Sequence, residues 1–410
     1  MNTLQSLVLL LVVAYVGGFL MGGRGERGRG LPSGSEWLVA GFVLGPATIG
    51  LLTGAELAAF WPLALLATGW IALLVGLTFG TDGDRRIPAG GLVLGFVAGA
   101  LSFAAVAGAT WLALEHYPPL AALFPERPDR IAIALSLGAA LSDTSRHVAG
   151  WARHRLSAAG PLLDRVSDVT RSDDLVPVFV LSVLVSTDTY RGIPALPFGG
   201  VAVGGAMGIA CAALLGRTLR TTTFWSLLFG FSLLATGVSE QLDVSVVAGA
   251  FALGLALALA SPLRREAREL AGGVEGAVVL PALFLAGART PVPSAPVAIL
   301  VVAVLAARLL ASFATAGLVA AVDPRARRGG AGLGLAFFPI GPLGIAIALA
   351  VGLRTPGPVA DAVLAVTIAA SVAGEFVGPP ALRRALRRAG EVPAAATEAP
   401  AGSATGEEPA

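Results

Sequence analysis

The chain has 410 residues, 55% of them hydrophobic and only 13% charged, with a mean hydropathy of +0.80. A soluble domain carries roughly 25% charged residues, so this composition excludes one and places most of the chain in lipid. The formal net charge of +2 is reached without lysine, and the lone Cys211 excludes a disulfide framework or a cysteine metal set.

In chain order, apolar runs fall at about 5 to 22, 35 to 53, 57 to 80, 88 to 114, 131 to 150, 159 to 187, 194 to 216, 222 to 238, 243 to 262, 272 to 288, 295 to 322, 331 to 353 and 357 to 382. A bilayer core of roughly 30 Å takes about 20 apolar residues per helix. Barrel strands would be shorter and alternating. The runs therefore predict an all-α polytopic membrane protein of about thirteen transmembrane helices. The first run, Leu4 to Met21, lacks the basic flank and small-residue cleavage site of a signal peptide and reads as the first of them.

Arginine tests this segmentation, because basic residues collect in cytoplasmic loops. Loops on one side hold Arg24, Arg27, Arg29, Arg85, Arg86, Arg153, Arg155, Arg217, Arg220, Arg264, Arg265, Arg268, Arg325, Arg327 and Arg328, and the same side receives Arg383, Arg384, Arg387 and Arg388. Loops on the other side hold only Arg127, Arg130, Arg191, Arg289 and Arg354. The alternation predicts a multi-pass protein of the cell inner membrane, with its N-terminus outside and its C-terminus in the cytoplasm. Residues 1–388 read as one transmembrane domain, and 389–410, a mixture of Ala, Thr, Glu, Pro and Gly, as a disordered cytoplasmic tail.

Ionisable groups near a bilayer midplane cost roughly 2.5 to 3.5 kcal/mol each, so they mark pathways and sites. The fifth run breaks into Leu141-Ser142-Asp143-Thr144-Ser145, the sixth carries Asp173-Asp174 near its centre, and the eleventh carries Arg308. Pro339 and Pro342 interrupt the twelfth. Unwound backbone at such breaks offers carbonyl ligands and half-helix dipoles. The fifth and twelfth runs are an odd number of helices apart and so point in opposite directions. This predicts inverted repeats with two crossing discontinuous helices. A faint echo between Ala40-Gly41-Phe42-Val43-Leu44-Gly45 and Ala248-Gly249-Ala250-Phe251-Ala252-Leu253-Gly254 agrees. A carboxylate that holds either a small cation or a proton couples two fluxes by competition. Adjacent carboxylates in a low dielectric raise one another's proton affinity.

The order of these features resembles the cation/proton antiporter superfamily, in particular bacterial sodium/proton antiporters of the NapA type and the membrane part of Kef-type potassium/proton antiporters. The likeness covers about residues 5 to 385. It includes Leu44-Gly45-Pro46, Ala139-Ala140-Leu141-Ser142-Asp143-Thr144, the Asp173-Asp174 pair, the Ala-Phe-Ala-Leu-Gly run ending at Gly254, and Pro281-Ala282-Leu283-Phe284-Leu285-Ala286-Gly287. The resemblance implies exchange of sodium or potassium for protons. It makes Asp174 the carboxylate that holds the transported cation or the proton, Asp173 its neighbour, Thr144 and Ser142 further ligands, and Arg308 a stand-in for the family's lysine. It implies a lipid-embedded homodimer with no enzymatic activity, no cofactor and no nucleic-acid partner.

The chain departs from that pattern in two ways. Asp168, Arg171 and Asp174 follow at i, i+3 and i+6, close to one helical face. Either Arg171 neutralises Asp174, leaving a non-transporting sensor or assembly subunit, or Asp143, Arg146, Asp164, Arg165, Asp168 and Arg171 line a polar funnel from the cytoplasm. Arginine at 308 cannot release a proton as a lysine could. That predicts Asp173 held by Arg308, Asp174 alone exchanging, and electroneutral turnover, whereas the paired aspartates, by resemblance, imply the opposite. Two other readings stay open: Asp173 and Asp174 as a solvated cap of a short helix, and an organic-anion carrier that uses the extra arginines. The histidines His116, His147 and His154 read as solvated, and Glu275, Asp361 and Glu375 have no assigned place.

Overall fold

Backbone polar groups in lipid must find partners within the chain, which favours helices. The computed structural model describes residues 31–83, 85–186, 198–215 and 221–393. The expected first span, most of the expected tail, and Arg24, Arg27, Arg29, Arg191, Arg217 and Arg220 lie outside the described residues. The helices are α1 (Glu36–Leu44), α2 (Gly54–Ala59), α3 (Trp61–Thr78), α4 (Ala89–His116), α5 (Pro118–Leu123), α6 (Arg127–Ala140), α7 (Arg146–Leu156), α8 (Pro161–Thr170) and α9 (Leu175–Ser186). They continue as α10 (Gly199–Leu215), α11 (Thr221–Gln241), α12 (Val246–Ala260), α13 (Arg264–Gly273), α14 (Glu275–Arg289), α15 (Ala295–Val322), α16 (Ala331–Ala336), α17 (Pro342–Arg354) and α18 (Pro358–Ala389). A two-residue antiparallel hairpin, β1 (Thr81–Asp82) with β2 (Arg85–Arg86), joins α3 to α4.

The chain is a multi-pass, all-α membrane protein. Among the described residues α3, α4, α15 and α18 are each long and apolar enough to cross a bilayer, and the pair α13 and α14, bent by 49°, would make a fifth crossing. The described residues therefore do not establish the expected count of thirteen. The first expected run lies outside the described residues, α10, α12 and α17 are apolar but shorter, and the fifth, sixth and twelfth expected spans are each broken inside.

Each break follows from local chemistry. Between α6 and α7, the hydroxyl of Ser142 donates to the carbonyl of Ala139 at 2.8 Å, the kind of side-chain bond that competes with a continuing helix. Between α16 and α17, Pro339 and Pro342 have no N–H to give, and Pro342 takes the first helical position, which proline suits. Between α8 and α9 the cause is Pro177. In an unbroken helix its ring would clash with the carbonyl of Asp173, four residues back. Interrupting the helix at 171–174 puts Pro177 in the first turn of α9, where no N–H is required.

Two regions result. In one, α1 packs on α14, and α3 and α10 both pack on α12. Backbones come close enough that a Cβ at Gly204 would overlap the carbonyl of Gly249, and one at Gly287 the carbonyl of Leu38. In the other, α4 packs on α6, α8 and α15, and α18 packs on α16 and α17. The backbone N–H of Ser145 donates to the carbonyl of Pro339 at 3.0 Å, so the first and last breaks meet.

Candidate functional site

Where the breaks meet, three carboxylates converge. Ligand oxygens of Asp143, Asp173 and Asp174 lie within 4.8 Å of one another, and the residues are 3%, 1% and 2% exposed. Asp173 and Asp174 occupy the turn before α9 rather than the middle of a continuous helix, and they are buried rather than solvated. Asp143, expected along the funnel, belongs to this cluster.

The helix ends explain how three acids can share one buried space. The Oδ2 atom of Asp143 accepts from the N–H of Gly344, in the first turn of α17, at 3.0 Å. The Oδ2 atom of Asp173 accepts from the N–H of Thr144, two residues before α7, at 3.1 Å. Asp174 directly precedes α9. The N-terminal ends of three helices, each carrying partial positive charge, thus face the acids. Gly341 makes room: a Cβ there would run into the carboxylate of Asp143.

Arg308, 1% exposed on α15, does not pair directly with a carboxylate among the described residues. Its Nη2 donates to the Thr144 hydroxyl at 2.9 Å, to the carbonyl of Phe337 at 3.0 Å and to that of Asp143 at 3.3 Å. Those carbonyls follow the C-terminal ends of α16 and α6, where a cation is favoured. The expected clamp of Arg308 on Asp173 is therefore indirect, through Thr144, which binds both. The hydroxyl of Ser142 is engaged with Ala139. Among the described residues, Oδ1 of Asp173, Oδ2 of Asp174 and Nε of Arg308 have no hydrogen-bond partner.

The expected funnel residues separate into two groups. Arg146, bonded to the Thr78 hydroxyl at 2.6 Å, and Arg171 line a cavity. Asp164, Arg165 and Asp168 instead join an ion-pair network on the arginine-rich face: Asp164 pairs with Arg153 at 2.9 Å, Arg165 with Asp323 at 3.5 Å, and Asp168 with Arg85. Its hub is Asp82 in the β1–β2 hairpin, which takes a two-pronged hydrogen bond from Arg153, 2.6 Å for Nη1, and lies 3.3 Å from Nε of Arg171. Burial works against the charge of Asp82, but the hydrogen bond from Arg153 and the charges of Arg171 and Arg153 outweigh it. They hold its carboxyl at about 2 rather than the ordinary 3.8. Arg171 is thus ion-paired with Asp82, not with Asp174, while its Nε donates to the Ser167 hydroxyl.

Four residues lacked any signal of their role in the sequence. Asp82 sits in a short polar loop. Ser33 and Glu375 form a buried link: the Ser33 hydroxyl and N–H both bond the Glu375 carboxylate, and the hydroxyl lies 2.8 Å from that of Ser145 at the first break. Glu391, inside the expected tail, accepts from the N–H groups of Leu162 and Leu163 at 2.7 and 2.9 Å, fixing the chain to the start of α8. The N-terminal end of a helix thus gives this acid a partner.

No family model and no curated protein matches the chain in sequence. Solved structures match in fold. A structure of the sodium proton antiporter MjNhaP1 from Methanocaldococcus jannaschii at pH 8 superposes with a TM-score of 0.67 at 13% identity, covering 95% of this chain and 99% of that one. An electron-microscopy structure of the same antiporter gives 0.63 at 17% identity, covering 93% and 98%. The chain has the fold of that antiporter, the fold its motifs led one to expect.

Proposed function

We propose that the protein exchanges a monovalent cation, sodium or potassium, for protons. The observation that carries this reading is the cluster of Asp143, Asp173 and Asp174 at the junction of the broken helices. Asp143 and Asp173 each have a backbone N–H as a fixed donor, whereas no backbone N–H among the described residues reaches Asp174. Asp174 is then the acid left to be neutralised by a transported ion, and either a cation or a proton serves. Carboxylate oxygens, the Thr144 hydroxyl and unwound carbonyls are the ligands such a cation takes. The bonding of Arg171 to Asp82 favours this over the blocked-site reading, because Asp174 is not locked to an arginine.

Arg308 stays charged throughout, so one cation against one proton is the exchange this geometry supports, electroneutral overall. By the arginine distribution the arginine-rich face is cytoplasmic and the membrane is the cell inner membrane. Residues 1–388 form the transporting domain, 389–410 are a cytoplasmic tail fixed at Glu391, and a homodimer is part of the same proposal. Proton flux in proteoliposomes, with lithium, sodium and potassium added in turn, tests the reading. At least one cation should drive flux that Asp174→Asn abolishes. Absence of flux with all three would refute it, and steady exchange that follows an imposed membrane potential would refute the electroneutral stoichiometry.

A further inference from the structure

We propose that the basic cavity beside the acid cluster binds a phosphate-bearing anion, which ties α7 to α13 and restrains exchange. The cavity holds about 270 Å³, against the ~10–15 Å³ of such space that one water needs. One face of α7 runs along it, with Arg146, His147, Gly150, Trp151, His154 and Arg155 spaced as a single helical stripe. Arg171 lines it beside the cluster, and Arg268 and Gly272 bring in α13.

Charge is what marks this cavity. Its lining holds four arginines against one glutamate, Glu275, whose carboxylate is 3.0 Å from Nε2 of His147. Arg171 is answered by Asp82. Arg146 donates to the neutral Thr78 hydroxyl and has the charges of Asp143 and Asp174 nearby, whereas Arg268 has only neutral acceptors among the described residues, the Thr81 hydroxyl and the carbonyls of Gly83 and Arg264. Arginines that only set orientation in the membrane need not converge on a cavity. Guanidinium groups on two helices do suit one phosphate, because their planar forks match its oxygens.

The placement gives the anion a consequence. α7 is the second half of the broken helix that presents Asp143, while α13 packs on α3 and α12 in the glycine-packed region. An anion held by both ties the two regions together. Restraint of exchange rests on the function proposed above; binding does not.

Full-length protein in detergent, titrated with inorganic phosphate by calorimetry, tests the site, together with melting in phosphatidylcholine nanodiscs with and without phosphatidic acid. Arg268→Gln should weaken binding by about tenfold to a hundredfold, as expected for losing one charge-assisted contact. Arg268→Lys, which keeps the charge without the fork, should restore part of it. Saturable phosphate binding in detergent identifies a soluble anion, and stabilisation by phosphatidic acid alone that depends on Arg268 identifies a lipid headgroup; either upholds the site. Binding in neither setting overturns it. So does binding unchanged by Arg268→Gln while the unliganded melting temperature stays that of wild type. Phosphate that binds through Arg268 yet leaves proteoliposome exchange unslowed overturns the restraint and leaves the site standing.

Discussion

The glycine-packed helices and the broken helices solve the problem of burial in opposite ways. Where α10 meets α12, side chains are absent: Gly204 and Gly249 let two backbones touch, and the contact is held by shape. Where the breaks meet, side chains are charged, and the contact is held by Arg308, Thr144 and helix ends that answer the acids. Shape alone makes a stiff panel with nothing to titrate. Charge makes a junction whose energy changes when one ion replaces another, as the proposed exchange requires.

Substitutions can break this contrast. Asp174→Asn should have the largest effect, abolishing cation-driven proton flux while leaving the circular dichroism and melting of the purified protein near wild type; retained flux would remove the chemistry from the junction. Arg308→Gln comes next. Removing a buried charge that ties Thr144 to the Phe337 and Asp143 carbonyls should cost about 3 kcal/mol or more and exchange with it, whereas Arg308→Lys should recover part of both in melting and flux assays. Gly204→Leu, by contrast, should cost about 1–3 kcal/mol from overpacking, visible as a lower melting temperature, with exchange per folded molecule retained.

The smallest effect sharpens the comparison at the arginine-rich face. Asp82 is held at about 2, below its ordinary 3.8, so it binds protons more weakly folded than unfolded. Its stabilising contribution is complete above roughly pH 4 and is lost as the pH falls toward about 2. The melting temperature of Asp82→Asn should lie below that of wild type by a constant amount above pH 4, and the two curves should converge in more acid buffer. A gap that widened on acidification would contradict the assigned partners.

What the sequence made legible follows the range of the interactions. The bounds of α15 match the expected run, because hydropathy over one helix is a local property. The interruptions at 141–145 and 337–341 were readable from Ser-Asp-Thr-Ser and from two prolines, again locally. The split of the sixth run is equally local, through Pro177, and the reading of Asp173 and Asp174 as the cap of a short helix places a helix start there, though buried rather than solvated. Long-range closure was not readable. That Asp143 joins Asp173, that Asp82 gathers arginines from α7 and from the 171–174 turn, and that Ser33 bonds Glu375 all depend on which helix ends meet in space. The close approach at Gly249 left only the weak Ala-Gly echo, since small residues abound throughout the chain.

At the centre of the proposed exchange is one site that takes a cation or a proton, never both. The apparent affinity for the transported cation, measured in proteoliposomes across a series of pH values, tests this most directly. Competition at Asp174 predicts that on the acid side the cation concentration for half-maximal rate rises about tenfold per pH unit while the maximal rate holds. A half-maximal concentration that stays fixed while the maximal rate falls would mean that proton and cation bind apart, and would contradict the account.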